Sequence, residues 1–257
     1  MQNEFSELSF MDSFLNYTDK YSSNRFYHFI KASVVKKFIE RNAGHAKIFL
    51  DAGAGRGPYT NIAQNKYSKI FCFEYDQNEL DCAIKNIENT NETIQFKKVD
   101  ITDIPLESNT VDVAVCSEVL EHILDYNKAM SELYRVMKPG STLLFSMPNG
   151  NSMLYGLSKI RNRRILAKLD ETKEQNKSWE QMRHFSFTHK KIDKIATDAG
   201  FRIEGRHGAH VIRLPHKLRS KLMSDFPNLF SGYIKLNNIL GNTIPYFGSF
   251  YFITLRK

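Results

Sequence analysis

Cysteine is scarce: Cys72, Cys82 and Cys116 are the only three in 257 residues. Three thiols cannot build a disulfide framework. Cys72 and Cys116 lie inside apolar runs and read as reduced packing groups of a cytoplasmic chain. No apolar run reaches the roughly 18 residues that a membrane-crossing helix needs. The first ten residues hold two Glu and no basic cluster, so they do not read as a secretory signal. Internal repeats and low-complexity tracts are also missing. What remains is an ordinary globular composition, 42% hydrophobic and 25% charged, long enough to bury one large core.

Charge is unevenly placed. Residues 1–150 hold 16 Lys and Arg against 20 Asp and Glu, a balance of −4, and residues 151–257 hold 20 against 8, a balance of +12. A basic half suits an anionic partner: a phospholipid surface, nucleic acid or a phosphorylated substrate. It is equally compatible with a solvated basic face.

Apolar residues Phe26, Ile30, Val34 and Phe38 recur at helical spacing, with Gly44 as a stop. Segments 46–50, 69–73, 93–99, 111–116 and 141–147 read as strands. Helical stripes lie between them at Leu80–Ile87 and Ala129–Met137, the second stopped by Pro139-Gly140. Val111–Cys116 is nearly continuous in apolar residues, as buried parallel strands are. This rhythm predicts a parallel, doubly wound α/β sheet. It breaks at a polar, basic insertion, 149–187, and resumes with a helix from Thr188, a strand at 201–205 and a last strand at 249–255. Residues 208–247 carry no clear pattern.

Strand 46–50 runs into Asp51-Ala-Gly53-Ala-Gly55-Arg-Gly57-Pro58. Such a loop turns tightly and lets a ligand approach the backbone. A dinucleotide fold places Gly or Ala three residues after the second glycine, and here that position is Pro58. Acids close the next two strands: Glu74, placed to accept from ribose hydroxyls, and Asp100, placed to accept from an adenine amine. Open α/β sheets bind ligands at these strand ends.

The series FLDAGAGRG, FEYD, VD at 99–100, SEVLEH and MKPGSTLLFSMPN resembles the class I S-adenosylmethionine-dependent methyltransferases, in order over about 105 residues. It is most similar to the type 11 group that includes ubiquinone-biosynthesis O-methyltransferases. The resemblance implies a Rossmann-like, seven-stranded sheet ordered 3-2-1-4-5-7-6, the last strand antiparallel, with helices on both faces. Residues 1–45 would form a helical cap, and residues 46–257 the methyltransferase domain. S-adenosylmethionine would be held by Asp51, Ala52, Gly53, Gly55, Gly57, Glu74, Tyr75, Asp100, Ile101 and Ser117. Arg25 is a candidate for the cofactor carboxylate.

Ser117-Glu118-Val119-Leu120-Glu121-His122 follows strand four. If a helix begins there, Glu118, Glu121 and His122 share a face. With His184, before Phe185, they resemble the Glu-x-x-Glu-His set of the ubiquinone enzymes and the metal site of small-RNA 3′-terminal 2′-O-methyltransferases. They can bind a divalent cation (Mg, Mn or Zn), or Glu121, His122 and His184 can act as base or pocket lining. The expected acceptor is a small molecule, lipid or glycan. RNA is the alternative, and a non-catalytic cofactor-binding relative is disfavoured by the intact loop and acids. Residues 153–169 carry an apolar face and five cations, a candidate contact with anionic membrane.

Overall fold

A computed structural model describes residues 25–87, 93–150, 187–212 and 225–257, together with 214, 218, 221 and 222; nothing is said of side chains 25–29, 45, 46 and 227. Among these residues a seven-stranded sheet runs in the order β3-β2-β1-β4-β5-β7-β6. The strands are β1 (Gly44–Ala52), β2 (Tyr67–Glu74), β3 (Ile94–Lys98), β4 (Val111–Ser117), β5 (Met137–Pro148), β6 (Arg202–Ala209) and β7 (Phe250–Arg256). Strands β1 to β5 pair in parallel, Leu50 standing beside both Phe71 and Ala114. β7 is antiparallel to β5 and β6. The expected order and the reversed last strand are therefore present.

Side chains along each strand point alternately to the two faces. Leu50, Phe71, Ala114 and Phe145 meet α4 (Tyr126–Val136) and α5 (His189–Asp198) on one face. Phe49, Ile70, Val113 and Leu144 meet α1 (Arg25–Asn42), α3 (Gln77–Asn86) and α6 (Pro227–Thr243) on the other. Burial on both faces explains the unbroken apolar strands. The thiols of Cys72 and Cys116 are buried, and burial pushes both pKa values up, consistent with inert packing groups.

Several local expectations change. In α1 the buried apolar positions are Ile30, Ala32, Val35, Phe38 and Ile39, so Val35 replaces the expected Val34 and the buried face takes in Lys31. Pro139-Gly140 does not separate helix from strand. β5 starts at Met137, directly after α4, and takes the pair in where its register with β4 shifts, Gly140 having φ of 76°. Asp76 caps α3 by accepting from the N–H of Asn78 and Glu79, and the Glu79 carboxylate goes to Arg56, 3.1 Å away. The unpatterned 208–247 stretch contains α6. The ends of the basic insertion are tied by a parallel bridge between Asn149 and Phe187. Residues 151–186, including the expected helix 153–169, lie outside the described residues.

Candidate functional site

The carboxyl ends of β1, β2 and β4 meet at the glycine loop. Gly53 and Ala54 donate their N–H groups to the carbonyl of Phe73, at 2.8 and 2.9 Å, which ties the loop to β2. The short helix α2 (Pro58–Ala63) starts at Gly57, with Pro58 in its first turn. Two of the three glycines answer to a close neighbour and the third to open space. A Cβ on Gly53 would lie 2.3 Å from Val119, and one on Gly57 would lie 2.9 Å from Ile87. A Cβ on Gly55 would meet nothing within 4 Å, so Gly55 borders open space.

Glu74 faces that space from the end of β2. Its Oε2 accepts from Gly55 N at 2.8 Å, and its Oε1 from Tyr75 N and Asp76 N at 2.8 and 2.9 Å. These three charge-assisted bonds fix the carboxylate and the loop together. The Tyr75 ring beside it is exposed. Asp100 is exposed, one oxygen accepting from Thr102 N at 2.9 Å.

Three expected cofactor residues point elsewhere. Asp51 is 1% exposed and accepts from the Thr60 hydroxyl at 2.7 Å, linking β1 to α2. Burial raises its pKa to about 7. The side chains of Ala52 and Ile101 are core, leaving only their backbone for a ligand.

At the end of β4 the Ser117 hydroxyl bonds the Ser146 hydroxyl, on β5, at 2.8 Å. The half-buried Tyr59 hydroxyl also bonds Ser117, and enclosure and the nearby Glu118 carboxylate raise the phenol's pKa. Glu118 has φ of 60°, and only Leu120–His122 forms a turn of 3₁₀-helix, α4 starting later at Tyr126. The expected shared helical face of Glu118, Glu121 and His122 is therefore not formed. Glu118 pairs instead with Lys31, a 4% exposed lysine of α1 whose ammonium also sits 4.2 Å from the centre of the Phe250 ring. Glu121 is 2% exposed, and its Oε2 has no hydrogen-bond partner. Burial first, and the Glu118 charge second, raise its pKa to about 8.

Among the described residues no three His, Cys, Asp or Glu side chains gather to hold a metal. Lys31 already supplies a cation to Glu118. His184 and the side chain of Arg25 lie outside the described residues.

The sequence profile of the family described as "Methyltransferase domain" matches residues 50–145, which hold the loop, Glu74, Asp100, Ser117 and Glu121. The chain carries a methyltransferase domain. A probable S-adenosylmethionine-dependent methyltransferase of Mycolicibacterium smegmatis is 27% identical over 116 residues, 45% of this chain and 43% of that protein. A ubiquinone biosynthesis O-methyltransferase of Psychrobacter arcticus is 23% identical over 167 residues, 64% of this chain and 62% of that protein. The chain thus spans about half the length of the curated relatives it matches. The fold is shared with the putative methyltransferase solved as a complex with the Haloferax volcanii Trm112 methyltransferase activator: TM-score 0.60, 14% identity, 91% of each chain covered. Together these make the chain similar to S-adenosylmethionine-dependent methyltransferases over residues 50–145, and it shares the class I fold of the solved structure.

S-adenosylmethionine fits the residues present. The methyltransferase domain offers open space over Gly55, an immobilised carboxylate at Glu74 for a ribose diol, and an exposed ring and acid at Tyr75 and Asp100 for the adenine side. Sequence reasoning missed Lys31 and Tyr59. Lys31 did leave a signal: it falls four and seven positions before Val35 and Phe38, on a buried stripe where a lysine has to find a partner.

Proposed function

We propose that this methyltransferase domain binds S-adenosylmethionine along Gly53–Gly57, Glu74, Tyr75, Asp100 and Ser117, and methylates an oxygen of a small-molecule, lipid-linked or glycan acceptor. The cofactor, when bound, supplies an electrophilic methyl group on a sulfonium. The chain has little covalent chemistry to do. It has to orient the acceptor, exclude water and take a proton from a hydroxyl.

The observation that carries the oxygen assignment is the end of β4. Glu121 is buried with one unbonded oxygen, beside Glu118 and next in sequence to His122. Acids in different environments divide proton-holding from proton-accepting roles. Here Glu118 is committed to Lys31, and Glu121, with its pKa raised to about 8, holds its own proton at neutral pH, which leaves His122 to receive one from the acceptor. The RNA 2′-O-methyltransferase reading needs a divalent cation at Glu118, and that cation would have to displace the Lys31 ammonium. A metal-independent oxygen transfer is therefore favoured.

The test is incubation with methyl-labelled S-adenosylmethionine and separate lipid, small-phenol, glycan and RNA fractions, followed by mass spectrometry of the labelled product. An O-methyl product outside the RNA fraction supports the reading. Label found only on nitrogen, carbon or RNA overturns it.

A further inference from the structure

Helix α6 buries one side and leaves the rest open. Phe230, Tyr233, Ile234 and Asn237 face the sheet. The exposed remainder is divided along its length. One flank carries Leu229, Leu236 and Ile239, the first and last being 62% and 59% exposed, at the i, i+7, i+10 spacing that keeps them in line. The other carries Ser231, Lys235 and Asn242. Just past the helix Phe247 is exposed too, at 52%. Exposed apolar side chains grouped in this way mark an interaction surface.

Its position ties it to the site. The turn Pro245–Phe247 follows α6, and Asn149 Nδ2 donates to the carbonyls of Tyr246 and Gly248 at 2.7 and 2.9 Å. Asn149 directly follows β5, whose Ser146 bonds Ser117. The strip therefore ends at the carboxyl edge of the sheet, where the acceptor has to enter.

The charge of this stretch of sequence points to the chemistry of what covers it. Residues 211–247 hold five Lys and Arg, at 213, 217, 219, 221 and 235, against one acid, Asp225. An exposed apolar helix flank within so basic a stretch of sequence complements a surface with alkyl chains beneath a layer of anionic headgroups. No helix among the described residues is long and apolar enough to cross a membrane, so α6 would lie along such a surface.

We propose that the Leu229–Leu236–Ile239–Phe247 strip docks this chain on an anionic lipid bilayer and turns the acceptor edge of the site toward it. The proposal rests on the lipid-linked branch of the function given above and names the surface that would deliver such an acceptor.

The experiment is co-sedimentation of the full chain with phosphatidylcholine vesicles prepared with and without phosphatidylglycerol. The triple variant Leu229→Ser, Leu236→Ser, Ile239→Ser removes exposed apolar area without changing charge. The expected result is binding to the phosphatidylglycerol vesicles, weakened by added salt and reduced about tenfold or more in the variant. Unchanged cofactor affinity of the variant in calorimetry shows that its fold is intact. A chain that fails to sediment at low salt, or a variant that sediments like the parent, overturns the proposal. So does gel filtration showing a dimer that the variant dissolves, since a second copy would then be the occupant. Methyl transfer without vesicle binding would remove the docking surface alone. Vesicle binding without cofactor binding would remove the functional reading alone.

Discussion

Lys31 of α1 and Glu118 at the end of β4 form an ion pair at the carboxyl edge of the sheet, and the lysine is the more deeply buried partner. A charge taken out of water persists only where it is paired. Lys31→Met leaves Glu118 next to Glu121 with no cation between them. It is expected to cost about 3 kcal/mol in urea unfolding, with Glu118→Gln in the same chain recovering most of that. A single variant as stable as the parent would show that the pair contributes nothing.

Glu121 gives stability a definite dependence on pH. Its folded pKa, about 8, lies above the ordinary glutamate value of 4.5, so the folded state holds its proton more tightly than the unfolded chain. That contribution is complete below the unfolded value and is lost as pH rises through about 8. Glu121→Gln therefore gains on the parent between pH 5 and pH 9 when both are unfolded in urea. An equal difference at the two pH values would mean that Glu121 titrates normally.

The glycines separate folding from binding. Gly55→Ala enters open space at positive φ, so about 1–2 kcal/mol of backbone strain is expected, with cofactor affinity reduced at least about tenfold in calorimetry. Gly53→Ala drives a methyl into Val119 and is expected to destabilise considerably more. Val119→Ala in the same chain should return part of the loss. Equal melting temperatures for Gly53→Ala and Gly55→Ala would contradict this division.

Glu74→Ala removes the acceptor for three backbone N–H groups as well as the proposed ribose contacts. Bonds to a carboxylate contribute about 1.5–3 kcal/mol each, so both loop order and cofactor affinity should fall. Calorimetry with S-adenosylhomocysteine is the measurement, and affinity within about twofold of the parent would refute the assignment.

His122→Ala should lower turnover by about 100-fold or more while leaving cofactor affinity unchanged, as expected for a group that handles an acceptor proton. Unimpaired turnover would remove His122 from the chemistry.

The central strands were readable because both their faces are buried, so Val113–Cys116 and Leu143–Met147 show as apolar runs. The loop and Glu74 were readable because few residue types satisfy a tight turn and a strand-end acceptor. Helix α6 was not, because its apolar residues fall on two faces and Gly232 and Gly241 weaken the helical signal. The Leu120–His122 turn was misread as a helix because i, i+3, i+4 spacing says nothing about where a helix starts. Lys31 was missed because long-range ion pairs leave only the faint mark of a charge on a buried stripe.

The Asn149–Phe187 bridge, reinforced by Gly150 N donating to Phe187 O at 2.9 Å, sets the points where the chain departs from the sheet and rejoins it. The 37 residues between Asn149 and Phe187 thus leave and return side by side. The entropy of closing such a loop grows only slowly with its length. The bridge therefore works as a clasp: it holds the end of β5 beside the start of α5 whatever the length of chain that it spans.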